Sequence, residues 1–160
     1  MTRPEAATGR HACPRCGARG RSVKPVTIRF LVMPGALLEL ENPSGFNYCG
    51  TPACEIAYFR PSTGSLILKD QVRVRIGGKE TAPPRTLCYC FAHTVEEIEA
   101  QVAVTGRSTV PDEIAEKCRQ GLDRCEETNP QGACCLGNVR QVMQGSPSWT
   151  RPEQRARCRQ

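Results

Sequence analysis

The sequence predicts an α+β protein in which a small β-rich half is followed by a helical half. Runs of β-branched and aromatic residues bounded by proline and glycine lie before residue 79, and helix-capping signals with four-residue apolar spacing lie after residue 87. Eleven cysteines are spread over both halves, whereas aromatic residues make up only 5% of the chain. Such a chain forms a thin apolar core, so we expect extra cross-links in each half.

The β-rich half is predicted to span residues 13–78. A strand is predicted at residues 25–32 (PVTIRFLV), because its β-branched residues are bounded by a proline and by a Pro-Gly pair. A polar turn at residues 42–45 follows, and residues 65–78 contain two short strand-like runs. In the second of these runs the alternation is clearest at Val72, Val74 and Ile76.

The helical half is predicted to span residues 87–145, after a Pro-rich polar linker at residues 79–86. Thr94 and Glu97 match a capping box, so a helix should begin directly after the cysteine pair of residues 88 and 90. Gly106 is expected to end this helix.

A second helix should begin near Pro111, since proline is favoured in the first helical turn. Four-residue spacing predicts that one face of this helix is apolar, and its members are Ile114, Cys118 and Leu122. A turn is expected at residues 129–132, and then a short helix within residues 134–145 that Gly145 ends.

The cysteines are expected to bind metal rather than to pair as disulfides. The start of the chain has no apolar stretch of signal-peptide length, and no window approaches a membrane span, so we expect a cytoplasmic protein without membrane insertion. In a reducing compartment, clustered cysteines indicate metal ligands or redox groups, and their odd number does not suit complete pairing.

The net charge of +6 does not by itself indicate a nucleic-acid partner. The positive charge is concentrated in residues 1–24 and 145–160, and we expect a disordered start at residues 1–12 and a basic flexible tail at residues 146–160. Thiolate ligation of metals would lower the net charge of the protein below +6. Nucleic-acid binding is therefore not expected, and no acid–base pair or nucleophile–histidine arrangement suggests a hydrolase or transferase.

The second half offers a candidate four-thiolate site. Cys88 and Cys90 are separated by one residue, so a disulfide between them would close a strained ring. In a straight strand their side chains would face opposite ways, and the backbone must therefore turn if both are to reach one ion or cluster. Cys125 and the adjacent pair Cys134 and Cys135 supply further thiols. The spacing alone leaves iron and zinc open.

The first half contains Cys13-x-x-Cys16 and a second pair, Cys49 and Cys54, that has four residues between its members. Four thiolates suit tetrahedral zinc in a closed structural site, although the second spacing is wider than usual. Rubredoxin-like iron is the alternative metal, and His11 is an alternative ligand.

Other residues have simpler interpretations. We expect Cys118 to be a small buried apolar residue, His93 to flank the helix that follows it, and Cys158 to be incidental in an Arg-rich tail. Cys135 is interpreted as a packing residue beside the second site or as a nearby thiol.

Two stretches carry a resemblance to a known family. CYCFAHTVEEI together with CEETNPQGACCLGNV resembles the 2Fe–2S domain of archaeal CopZ-type copper chaperones and, more distantly, the bacterioferritin-associated ferredoxin domain. CPRCG with YCGTPAC resembles the zinc-binding half of the same chaperones, so that the resemblance covers roughly residues 10–144. It implies zinc at Cys13, Cys16, Cys49 and Cys54, and a 2Fe–2S cluster at Cys88, Cys90, Cys125 and Cys134. The choice of Cys134 over Cys135 rests on this pattern.

The resemblance also frames the expected function. CopZ-type chaperones carry a further ferredoxin-like module with a Cys-x-x-Cys motif, for which this chain has no room. We therefore expect a one-electron carrier in copper or mercury handling, which would reduce Cu(II) to Cu(I) for a chaperone or transporter and would need an electron donor. The alternatives are a metallochaperone that uses Cys135 and Cys158, and a zinc-ribbon nucleic-acid binder. Whether two copies form a homodimer is left open.

Overall fold

The computed structural model describes residues 11–145, so most of the predicted disordered start and all of the predicted basic tail lie outside the described residues. The first half contains a four-stranded antiparallel sheet in which the strands lie in chain order. These strands are β1 (Arg21–Ser22), β2 (Asn47–Tyr48), β3 (Ile56–Arg60) and β4 (Ser65–Leu68). The predicted β-rich first half of an α+β protein is thus confirmed.

The strand predicted at residues 25–32 is wrong, because this segment forms helix α1 (Pro25–Leu31). Pro25 occupies the first helical turn, where its missing N–H is not needed. Ile28 and Leu31 lie three residues apart and are both buried, so one face of the helix packs into the core. This tertiary packing outweighs the β preference of the local residues. A short helix, α2 (Pro34–Leu37), follows.

Only the first of the two strand-like runs predicted within residues 65–78 forms a strand among the described residues, namely β4. The second prediction is wrong, because 3₁₀ turns at Lys69–Gln71 and Gly77–Lys79 flank residues that form no named strand. Val72 makes an isolated bridge to Val32 instead. The 3₁₀ turn Gly77–Lys79 lies against the start of the second half: a Cβ on Gly77 would come within 2.0 Å of the Thr86 carbonyl oxygen.

The second half begins with a two-stranded hairpin, β5 (Thr86–Cys88) and β6 (His93–Thr94). Four helices follow within the described residues. They are α3 (Val95–Thr105), α4 (Val110–Arg119), α5 (Cys125–Thr128) and α6 (Leu136–Met143).

The predicted boundaries of α3 are confirmed. The hydroxyl of Thr94 accepts a hydrogen bond from the Glu97 N–H at 3.1 Å, and Gly106 ends the helix at a φ of 81°. The Glu97 side chain departs from the capping box, because it contacts Nδ1 of His93 at 3.0 Å.

Helix α4 begins where it was predicted, and Ile114 and Cys118 are buried on its apolar face. The prediction for Leu122 is wrong. The helix ends at Arg119, Gly121 takes a left-handed conformation, and Leu122 is left 53% exposed. No helix in the described part of the chain is long and apolar enough to cross a bilayer.

The two halves pack against each other through helices α1 and α5. The Thr27 hydroxyl donates to the Glu126 carbonyl at 2.6 Å, and the buried Tyr58 hydroxyl donates to the Pro130 carbonyl at 2.5 Å. The short helix that begins at Cys125 is therefore held in place by the first half.

Replacing Tyr58 with phenylalanine should leave the buried Pro130 carbonyl without its donor. We expect the free energy of unfolding to fall by about 1–3 kcal/mol, measured from the urea midpoint. The control is Thr105→Val, which removes an exposed hydroxyl and should change stability by no more than about 0.5 kcal/mol. Equal losses in the two variants would contradict a role for this contact between the halves.

Candidate metal centres

The first centre consists of four sulfurs that lie close enough to surround one metal ion. All four lie within 4.8 Å of one another, and they belong to Cys13, Cys16, Cys49 and Cys54. The Sγ atoms of Cys13 and Cys54 are 3.9 Å apart, and those of Cys16 and Cys49 are 3.6 Å apart. Tetrahedral zinc with Zn–S bonds of about 2.3 Å places its sulfurs about 3.8 Å from each other. The donor set and its spacing therefore fit zinc.

Two turns position these sulfurs. The first turn is closed by a hydrogen bond from the Gly17 N–H to the Cys13 carbonyl at 2.8 Å, and Gly17 has a φ of 77°. The second turn lies between strands β2 and β3, where the Cys54 N–H donates to the Thr51 carbonyl at 3.2 Å. Because the sheet holds both ends of the second turn, the wide Cys-x4-Cys spacing still brings Cys49 and Cys54 together.

Backbone amides point at three of these sulfurs. In each case the donor is the N–H two residues after the cysteine, and the donors belong to Ala18, Thr51 and Ile56. Such hydrogen bonds stabilise thiolates, which are the metal-binding form of cysteine.

The exposed and buried sulfurs of this centre differ in acidity. Burial acts to raise the pKa of the Cys16 thiol, but hydrogen bonds with the Thr51 side chain, the Ala18 amide and neighbouring thiols lower it to about 6. Burial raises the pKa of Cys49 to about 12. Metal binding must therefore displace protons from the buried sulfur.

Sequence reasoning missed Lys79, which it assigned to a linker. The Lys79 side chain is 5% exposed, and its Nζ donates to the Thr51 carbonyl at 2.7 Å and to the Cys54 carbonyl at 3.0 Å. The local pattern Gly-Gly-Lys gave no signal of this contact, because its partners lie about 25 residues earlier in the chain. His11, the alternative ligand, is not a member of the four-sulfur group.

The second centre gathers its thiols as two pairs. Cys90 and Cys125 have their sulfurs 3.7 Å apart, and the buried thiols of Cys88 and Cys135 interact with each other. Within residues 11–145, the first centre is the only group of three or more candidate ligands whose donor atoms all lie within 4.8 Å of one another. The second centre is therefore more extended than a site for a single tetrahedral ion.

The structure places Cys135, rather than Cys134, beside Cys88. Cys135 is 2% exposed and carries a free thiol. Cys134 does not carry a free thiol. The sulfur of Cys134 lies 3.4 Å from the Leu136 N–H, at the start of α6. Of the four ligands expected for the second site, Cys88, Cys90 and Cys125 are brought together.

Hydrogen bonds and a turn shape the second centre. The Arg124 N–H donates to the Cys90 sulfur at 3.1 Å, and the Thr128 hydroxyl lies 3.2 Å from the same sulfur. The hydrogen bond with Cys125 is the main cause that lowers the pKa of Cys90 to about 6, against the effect of burial. Ala92, just beyond the cysteine pair, has a φ of 63°, so the backbone turns sharply here, at a cost of about 1–3 kcal/mol.

Two simpler interpretations also hold. Cys118 is buried on the apolar face of α4. His93 flanks α3, where it contacts Glu97, and among the described residues it belongs to no group of mutually close ligands. Cys158 lies outside the described residues.

The first half of the chain is similar to a known zinc binding domain. Residues 10–73 match zf_CopZ, a zinc binding domain. The four-cysteine centre lies within the matched residues, which supports zinc as its metal. The CopZ-type resemblance of the first half is thereby confirmed, and zinc is supported over the alternative of rubredoxin-like iron.

Two comparisons extend beyond the zinc domain. The copper chaperone CopZ of Archaeoglobus fulgidus is 29% identical over 124 residues, which cover 77% of this chain and 57% of that protein. This chain thus spans little more than half the length of that relative. The X-ray structure of the Archaeoglobus fulgidus CopZ N-terminal domain is 26% identical with a TM-score of 0.66, and the match covers 86% of this chain and 99% of that one. The fold similarity therefore includes much of the helical half.

Proposed function

We propose that this chain handles a soft metal ion, with Cu(I) as the leading candidate, as a metal-binding component of a copper-chaperone system. The observation that carries this proposal is the second thiol centre, which gathers four cysteines of the helical half as two pairs. Thiolates are the ligands that Cu(I) prefers in proteins. Similarity to a copper chaperone adds support, and it suggests a copper transporter as partner.

The two centres would have different tasks in this proposal. Zinc has no redox chemistry, and in a closed four-thiolate site it stabilises the fold. In the second centre, Cys90 and Cys125 are half-buried, so this pair can meet an arriving ion before the buried Cys88 and Cys135 do. In this proposal Cys135 is a buried member of the second centre, rather than the spare thiol of the metallochaperone alternative.

The same geometry supports a second candidate, a one-electron carrier. A 2Fe–2S cluster takes two thiolates on each iron, and two sulfur pairs fit that demand. Cys88, Cys90, Cys125 and Cys135 would hold the cluster, which supplies one-electron transfer when it is bound. The Arg124 amide would then hydrogen-bond a ligand sulfur, an interaction that stabilises negative charge on the cluster.

Anaerobic purification followed by zinc, iron and sulfide analysis separates the two candidates. We expect one zinc per chain in either case. A colourless protein whose second centre takes up Cu(I) in competition with a chromophoric Cu(I) chelator would support the chaperone role. Two irons and two sulfides per chain, with visible charge-transfer bands, would support the electron carrier instead.

The matched variants for this experiment are Cys90→Ser and Cys118→Ala. Cys90 belongs to the second centre, whereas Cys118 is a buried cysteine on the apolar face of α4. Metal at the second centre should be lost in Cys90→Ser and retained in Cys118→Ala. If the chain holds no iron and both variants bind Cu(I) as the wild type does, both candidate functions are wrong.

A further inference from the structure

A buried lysine lies against the Thr51–Cys54 turn of the four-cysteine centre. It comes from outside the segment that carries the four cysteines. Lys79 lies 25 residues beyond Cys54, and its side chain is among the most buried charged groups of the described chain. Taking an ammonium out of water is costly unless hydrogen bonds and negative charge compensate for the loss of hydration. The surroundings of Lys79 supply both.

The hydrogen bonds hold the turn between two zinc ligands. The Nζ atom donates to the carbonyls of Thr51 and Cys54, which are the two ends of the turn that the Cys54 N–H closes. The Thr51 carbonyl therefore accepts from both the backbone and the lysine. A turn pinned in this way keeps Cys54 at a fixed distance from Cys49 despite the four intervening residues.

The negative charge comes from the zinc site itself. Four thiolates around one Zn²⁺ leave a formal charge of about −2. Burial lowers the pKa of the Lys79 ammonium, whereas the thiolates of Cys49 and Cys54 act to raise it, so the sulfurs and the ammonium interact favourably. Besides the two carbonyls, the ring of Tyr48 lies 6.0 Å from Nζ.

We propose that Lys79 is a positioning residue of the zinc site, which clamps the Thr51–Cys54 turn and offsets the negative charge of the zinc-bound sulfurs. This inference rests on zinc at the four-cysteine centre, and it is independent of what the second centre binds. Partners of metal ligands that act through hydrogen bonds typically contribute 10- to 100-fold to metal affinity, about the size expected here.

The test compares Lys79→Met with Lys69→Met in the full chain. Lys69 is a matched control, because it carries the same charge in the same region but is partly exposed, and its Nζ lies beside Glu80 and the Lys79 carbonyl rather than against the Thr51–Cys54 turn. Competition with a chromophoric zinc chelator should give a roughly 10- to 100-fold weaker zinc affinity for Lys79→Met. Lys69→Met should stay within about threefold of the wild type.

A spectroscopic measurement separates charge compensation from simple support of the loop. In protein loaded with Co²⁺ in place of zinc, loss of a nearby cation raises the energy of the sulfur electrons. The thiolate-to-cobalt charge-transfer band should therefore move to longer wavelength in Lys79→Met and stay in place in Lys69→Met. Lys79→Gln retains a hydrogen-bond donor without the charge, and it should show the same band shift if Lys79→Met does not fold.

An unchanged zinc affinity or an unmoved band in the Lys79 variants would overturn the proposal. A wild-type chain that binds no zinc would overturn it together with the zinc site itself. Normal zinc binding by the wild type with no effect of Lys79→Met would overturn only the role of Lys79.

Discussion

Replacing Cys49 with serine is expected to release zinc and to unfold the first half of the chain. Cys49 is fully buried and directly follows strand β2, while the next ligand, Cys54, precedes β3. Loss of this ligand therefore frees two central strands of a four-stranded sheet. Structural zinc contributes on the order of 10 kcal/mol, as much as the entire stability of a typical small domain.

Zinc analysis and thermal unfolding check this prediction. The zinc content of Cys49→Ser should fall from one per chain to none, and the cooperative transition of the first half should disappear. Cys118→Ala is the matched control, since it also removes a buried cysteine, and it should retain its zinc. A Cys49→Ser variant that keeps both zinc and a cooperative transition would show that the four-cysteine centre does not hold the fold together.

The second large effect is expected where two cysteines are adjacent in the chain. Replacing Cys135 with serine should remove the metal or cluster from the second centre, whereas replacing Cys134 should leave most of it in place. The reason is that Cys135 is buried against Cys88, while Cys134 is not part of the two sulfur pairs. Serine is nearly the same size as cysteine, so both variants retain the packing of the start of α6.

Metal content after identical anaerobic purification is the measurement. Cys134→Ser and Cys135→Ser serve as controls for each other, since each changes one sulfur at neighbouring positions. If the metal is lost in Cys134→Ser and kept in Cys135→Ser, the ligand set implied by the family resemblance is correct. The grouping drawn from the structure would then be wrong.

Local signals were sufficient where neighbouring residues determine the structure. The start of α3 follows from the hydroxyl of Thr94 and the amide three residues later, and its end follows from Gly106. Both ends could be predicted because the hydrogen bonds that define them are formed within the same short segment.

Distant contacts explain what the sequence could not reveal. Residues 25–32 have a strand-like composition, but they form a helix because Ile28 and Leu31 meet the core of the sheet on one helical face. Similarly, spacing identified the Cys134–Cys135 pair without distinguishing its members, since the choice depends on how α6 begins against Cys88. Lys79 carried no local signal at all.

The contact of Lys79 with the Thr51–Cys54 turn also affects the order in which the first half can be completed during synthesis. All four cysteines of the first centre have been made once Cys54 is added, and the match to the zinc binding domain ends at residue 73. The ammonium that lies against Thr51 and Cys54 arrives only with residue 79. A nascent chain that stops at residue 73 therefore has every sulfur of the site but lacks its buried cation, so the structural unit is longer than the segment that matches the zinc binding domain.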